Sequence, residues 1–204
     1  MLTLVSLLPP PPFTLQTIRT VSSTFSGNGA ILSGGVFAAV GAGGIDILDT
    51  GSTFTDNKAQ HAGVISAVGA RVAFSGSNFR GNRADDGVGG ALQVVGTYLQ
   101  GQSWNDVDLT DVTFSANQAL GGGAVNLGAV KAAILRTKFV GNLAETASGG
   151  GLVMTSGDML IAESTFDNNT AVTYARKRRG GGGLNMNLSR LDSNTFVYEY
   201  THSK

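Results

Sequence analysis

A short motif recurs along this 204-residue chain, and it limits the possible folds more than any other feature. Phenylalanine stands at Phe25, Phe54, Phe79, Phe114, Phe139, Phe166 and Phe196. Three residues after the first six come Asn28, Asn57, Asn82, Asn117, Asn142 and Asn169, and two residues further on come Ala30, Ala59, Ala84, Ala119, Ala144 and Ala171. A glycine pair and an apolar residue follow after a variable gap: Gly34-Gly35-Val36, Gly89-Gly90-Ala91, Gly122-Gly123-Ala124, Gly150-Gly151-Leu152 and Gly182-Gly183-Leu184, with Ala62-Gly63-Val64 in the second copy. The Phe-to-Phe spacings are 29, 25, 35, 25, 27 and 30, yet F-x-x-N-x-A never changes length. A fixed corner joined by elastic connections is the mark of a coiled solenoid, in which insertions become loops and the stacked strands keep register.

The segments between glycines are short and rich in Val, Ile, Phe and Thr, and none keeps an apolar stripe of helical period, so the coils are built of strands. Glycine is 30 of 204 residues, about twice its usual share of about 7%, and each would cost about 1 kcal/mol inside a helix. Five residues before Phe stand Phe74, Leu109, Ile134, Ile161 and Leu191. Five is odd, so a corner must separate each from its Phe if both point inward. Each coil is then expected to hold three strands: the glycine-pair strand, the strand before Phe, and F-x-x-N-x-A. The fold expected is all-β, a parallel β-helix of six to seven coils. Phe25, Phe54, Phe79, Phe114, Phe139, Phe166 and Phe196 form an internal ring stack. Asn28, Asn57, Asn82, Asn117, Asn142 and Asn169 form a paired amide ladder at a sharp corner, where Asn tolerates left-handed backbone. Residues 1–19 read as a poorly ordered N-terminal segment, a weak signal sequence or a truncated start. Residues 20–204 form the repeat domain.

Composition narrows the function classes. Lys+Arg and Asp+Glu are each 14, so no net charge draws the chain to nucleic acid or an anionic membrane. Cysteine is absent, which excludes disulfides, thiolate zinc sites and cysteine nucleophiles. No run is long and apolar enough for a transmembrane span. No His, Asp or Glu cluster has metal-ligand spacing, and no cofactor is implied.

F-x-x-N-x-A followed by G-G-[AVL], in six copies over residues 20 to 200 of which the second departs with Ala62-Gly63-Val64, resembles the repeat of chlamydial polymorphic outer membrane proteins and the wider pectin-lyase-like superfamily. The resemblance implies a right-handed helix and a surface-exposed or secreted, adhesin-like passenger without enzymatic activity. It would present its loops to a protein or glycan partner outside the cell, at the outer membrane if bacterial. Phe196 departs from the pattern, with Glu199 where Asn would stand. Some pectin-lyase-like relatives cleave polysaccharides, so the alternative is a lyase or hydrolase.

For that alternative the best acidic pair is Asp85-Asp86, although neighbours on a strand point opposite ways and a solvated loop is the simpler reading. Asp108 and Asp111 near Trp104 and Tyr98 would make a small carbohydrate shelf; loop packing is the competing role for the two aromatics. His61 and His202 have no nucleophile beside them and read as solvated. Arg176-Lys177-Arg178-Arg179 reads as an exposed loop or a processing site. Asn168-Asn169-Thr170 and Asn187-Leu188-Ser189 are glycosylation sequons. Thr24, Thr53, Thr113, Thr165 and Thr195, each before a Phe, would face outward as a hydroxyl stripe. Unpaired strand edges at both ends, with no convincing cap in the sequence, predict end-to-end self-association.

Overall fold

The computed structural model describes residues 2–5, 16–99, 102–103, 106–172, 182–187 and 196–198. The chain is a parallel β-solenoid of about five turns, and no helix occurs among the described residues. Three sheets run along its axis. The long sheet has ten strands, among them Phe37–Thr50, Ile65–Ser75, Val125–Leu135 and Leu152–Ala162. The phenylalanine sheet has six short strands, from Thr24–Ser26 to Thr165–Asp167, and the alanine sheet six more, from Gly29–Ser33 to Thr170–Ala171. The two short sheets have six rungs each and the long sheet seven levels, so five to six steps of about 4.8 Å give a rod about 24–29 Å long. The number of turns is slightly below the six to seven coils expected.

Left-handed residues set the corners, and they redraw the strands expected within a coil. The glycine-pair strand and the strand before Phe are one long strand, bent at Gly69, Ala129 and Ser156 with φ of 67°, 54° and 66°. F-x-x-N-x-A is instead two strands. Between them Gly27, Asp56, Gly81, Ala116, Gly141 and Asn168 all have φ between 51° and 64°. The left-handed residue is thus the one before each ladder Asn, and the Asn itself needs no unusual backbone. A third column of positive φ, Ser22, Gly51, Gly76, Asp111, Arg136 and Glu163, turns the chain from the long sheet into the phenylalanine sheet. That turn lets Phe74 and Phe79, five residues apart, both be buried.

The interior is a set of columns. Rings of Phe25, Phe54, Phe79, Phe114, Phe139 and Phe166 stack at centroid distances of 4.6–5.1 Å and interplanar angles of 3–15°. The rung spacing imposes that distance, so the rings lie slipped rather than face on face. Phe196 is not placed in this sheet. Strand Phe196–Tyr198 pairs with Met159–Ile161 in the long sheet. Only 12 residues separate Leu184 from Phe196, against 14 from Leu152 to Phe166, and no Asn corner follows it.

Each Asn side chain is held by its neighbours above and below. Asn82 Oδ1 accepts from Asn57 N at 3.0 Å and from Asn57 Nδ2 at 3.0 Å, while Asn82 Nδ2 donates to Phe54 O at 3.0 Å and to Asn117 Oδ1 at 2.9 Å. The same pattern runs from Asn28 to Asn169. Asn57, Asn82, Asn117 and Asn142 are fully buried, a placement amides bear only when paired.

The glycine motif aligns differently from its reading in the sequence. Leu152 pairs with Val125 and Leu184, so the equivalent pairs in the last copies are Gly149-Gly150 and the pair ending at Gly182, one position earlier. Toward the N-terminal end, Leu2–Val5 pairs with Phe37–Val40 and Gln16–Val21 with Ile45–Thr50, which carries the long sheet to residues before position 20.

Candidate functional site

The bend of the long strand is where the coils differ most. In three coils one residue makes the bend: Gly69, Ala129 or Ser156. In the others more residues stand at that position. In Phe37–Thr50 residues 41–44 form a bulge opposite the single Gly69. Elsewhere pairing with the neighbouring strand stops at Val5 and resumes at Gln16, stops at Val95 and resumes at Asp106, and stops at Asn187 and resumes at Phe196. The third insertion folds back as an antiparallel hairpin, Tyr98–Leu99 against Gln102–Ser103. A Cβ on Gly69 would lie 1.8 Å from Gly41 O and 2.9 Å from Thr97 Oγ1, so the insertions on both sides close over that bend. Extra residues thus fall at one corner position of the coil in four rungs, a grouping that spacing alone did not reveal because it depends on strand register. The basic run Arg176 to Arg179 lies outside the described residues, as do Trp104, His202 and Thr195.

The acidic candidates are held by cations. Asp85 pairs with Lys58 Nζ at 3.0 Å and with Arg83 Nε at 2.9 Å, and Arg83 also reaches Glu145 at 3.6 Å. Hydrogen bonds from Lys58 and Arg83 hold the Asp85 carboxyl below its ordinary value. A carboxyl so held is ionised and suits neither a general acid nor a strong base. Asp86 is exposed and accepts from Gln60 Nε2 at 3.4 Å. Lys58, Gln60, Asp85 and Asp86, with Gly29 and Ile31, line a shallow depression on the alanine sheet.

Asp108 and Asp111 are not loop residues. Asp108 sits on strand Asp106–Thr110 and meets Arg71 Nη2 at 3.2 Å. Asp111 occupies the next corner, where Arg136 clasps it in a fork, Nε to Oδ1 at 2.8 Å and Nη2 to Oδ2 at 2.9 Å. The Arg136 hydrogen bond lowers the Asp111 carboxyl below its usual range. On the outer face of the long sheet, Asp46 stands opposite Arg71, and Lys131 opposite both Asp106 and Asp158. The wall is thus a ladder of alternating sign rather than a gathered acidic groove. Among the described residues, no group of three or more His, Cys, Asp or Glu is placed to hold a metal ion.

The remaining candidates fall where their strands carry them. His61 is exposed at the end of strand Lys58–His61. Asn168 is exposed at its turn, while its neighbour Asn169 belongs to the ladder. Thr24, Thr53, Thr113 and Thr165 are in register on the outer face, interrupted by Asn78 and Lys138.

One interior feature has no counterpart in the sequence reading. Ser23, Ser52, Ser77, Val112, Thr137 and Ser164, each two residues before a Phe, form a second inward column. Ser52 Oγ accepts from Ser23 N at 3.0 Å, Ser164 Oγ from Thr137 N at 3.0 Å, and Thr137 Oγ1 donates to Leu109 O at 3.2 Å. Beside it Asp49, only 4% exposed, takes the place that Phe74, Leu109, Ile134 and Ile161 take in later rungs, and it accepts from the hydroxyls of Thr20 and Ser77. The recurrence of Ser or Thr two residues before Phe was the available signal. No protein-family model, no curated protein and no solved structure matches the chain.

Proposed function

We propose that the chain is a non-enzymatic, surface-exposed or secreted β-helix module of the adhesin-passenger kind, presenting its loops to a protein or glycan partner. The observation that carries this reading is that extra residues fall at one corner position in four rungs of an otherwise regular rod. A scaffold whose variable segments gather at one edge suits recognition, since rigid elements position loops for contact. Two further features support it. The carboxylates at Asp85, Asp108 and Asp111 are neutralised by neighbouring cations, and the repeat resembles that of polymorphic outer membrane proteins.

The test is binding of the purified chain to intact cells and to immobilised glycans. It is compared with a variant in which residues 96–104 are replaced by a single glycine, the bend used at Gly69. The expected result is loss of binding with the β-sheet circular dichroism retained. Release of unsaturated uronate from a polysaccharide, abolished by Asp85→Asn or Asp86→Asn, would overturn the proposal in favour of a polysaccharide-active enzyme.

A further inference from the structure

The sequon Asn168-Asn169-Thr170 sets two asparagines side by side, and the fold gives them opposite surroundings. Asn169 is locked into the ladder. Its Oδ1 accepts from Asn142 N at 3.0 Å and from Asn142 Nδ2 at 2.8 Å, and its Nδ2 donates to Phe139 O at 2.8 Å. Asn168 stands at the left-handed turn just before it, with φ of 51° and an exposed side chain. Among the described residues nothing bonds to its amide group. That exposure belongs to the turn. Asp56, Ala116 and Gly141 hold the same turn in rungs that have neighbours on both sides, and all three are exposed as well.

The fold demands neither outer residue of the sequon. Its turn accepts Gly27, Asp56, Gly81, Ala116 and Gly141 in place of Asn168. Thr170 lies in register with Lys58, Arg83, Gln118 and Leu143 on the outer face of the alanine sheet, where side chains of several kinds occur. Thr170 is exposed too, so the acceptor amide and the hydroxyl flank the inward Asn169 and both meet solvent. One rung in, a Cβ on Gly141 would have nothing within 4 Å. A bulky group on Asn168 therefore has room beside it.

We propose that Asn168 is the acceptor of an N-linked oligosaccharide. The inference rests on the surface-exposed or secreted reading above, because such transfer belongs to a secretory route. The donor is a lipid-diphosphate-linked oligosaccharide. Asn168 Nδ2 attacks the anomeric carbon of its first sugar. The C–N bond forms as the bond from that carbon to the diphosphate oxygen breaks, the lipid diphosphate leaves, and one Nδ2 proton passes to a base of the transferase. Following the chain round one coil, the corners come at the glycine pair, the bend, the entry to the phenylalanine sheet and the asparagine turn: Gly149, Ser156, Glu163 and Asn168 in the last full coil. The asparagine turn is thus two corners from the bend in either direction. A glycan there covers the side of the rod away from the extra residues and leaves them free for a partner.

The test uses the full chain behind a cleavable secretion signal in a eukaryotic host. It carries Asn187→Gln, which leaves Asn168-Asn169-Thr170 as its one sequon. The material read is the signal-cleaved chain from medium and cell membranes together, so retention does not hide the result. A glycan removed by peptide-N-glycosidase is expected, with release in heavy-oxygen water placing the label at position 168. Thr170→Ser should keep the glycan, whereas Thr170→Ala and Asn168→Gln should lose it, both at exposed positions outside the ladder. A signal-cleaved chain without glycan, label at position 169, or a glycan that survives Thr170→Ala would each overturn the proposal. The adhesin reading is decided separately, by binding of the unglycosylated chain to cells and glycans.

Discussion

The two glycines of each recurring pair answer to different demands. The first has φ of 61° at Gly34, 73° at Gly89, 56° at Gly122 and 68° at Gly149, and Ala62 adopts 53° in its place. The second has no room for a side chain. A Cβ on Gly35, Gly63, Gly90 or Gly123 would lie 2.2 Å from the carbonyl oxygen of the glycine one rung on. A left-handed backbone costs an alanine about 1–2 kcal/mol, which a fold can absorb, whereas a carbonyl clash must push two rungs apart. Ala62→Gly is therefore expected to shift stability by less than about 1 kcal/mol, and Gly90→Ala to cost more than about 3 kcal/mol, read from urea unfolding midpoints. The ladder gives a matching contrast. Asn82→Ala removes an acceptor used twice by Asn57 and orphans Phe54 O within the core, at a cost of about 2–4 kcal/mol. Asn28→Ala, at the end of the ladder, should cost less than about 1 kcal/mol. The Phe, Asn and Ala columns were legible because each position accepts almost one residue type. The glycine pair was read one position late where glycines run on, as at Gly149-Gly150-Gly151, since only the facing carbonyl distinguishes them.

Elements placed the polar groups that residue types alone did not. The ion pairs Lys58–Asp85, Arg71–Asp108 and Asp111–Arg136 join residues 25 to 37 apart, and which rungs face each other depends on insertions of unequal length. The hydroxyl column before Phe was hidden for another reason: Ser and Thr are also ordinary on strand surfaces, so nothing in their type says inward. The pH dependence follows from the pairs. Asp85 is lowered below 3.8 by Lys58 and Arg83, so its contribution is present above that value and lost as pH falls through its folded-state value. Its side chain is 39% exposed, and solvent screening holds that contribution to about 0–1 kcal/mol. Asp85→Asn should lower the urea midpoint slightly at neutral pH and match the parent chain once the pH lies well below 3.8. Asp49 places a carboxyl group inside an otherwise apolar column. Asp49→Leu together with Thr20→Val removes the acid and one of its donors, leaves Ser77 bonded to Ser75 O at 3.2 Å, and is expected to stabilise the chain by about 1–2 kcal/mol in the same assay.

At the scale of the whole molecule, stability has a direction along the rod. Each rung contacts only its neighbours, so an interior rung gains two interfaces and a terminal rung one. The ladder shows this bond by bond. Asn57, Asn82, Asn117 and Asn142 each hold hydrogen bonds to the rungs on both sides. Among the described residues, nothing donates to Asn28 Oδ1 and nothing accepts from Asn169 N. Opening therefore begins at an end, where one interface is lost, and reaches the centre only after the outer rungs have gone. Amide hydrogen exchange followed by mass spectrometry should show protection greatest on the rungs of Asn82 and Asn117 and falling toward those of Asn28 and Asn169. Gly90→Ala should invert that order locally, exposing the amides of Gly90, Ala91 and Leu92, which bond to Gly122 and Ala124 across the rungs it forces apart. Uniform protection from end to end, with all rungs exchanging together, would mean that the chain unfolds as one unit and that nearest-neighbour stacking does not govern its stability.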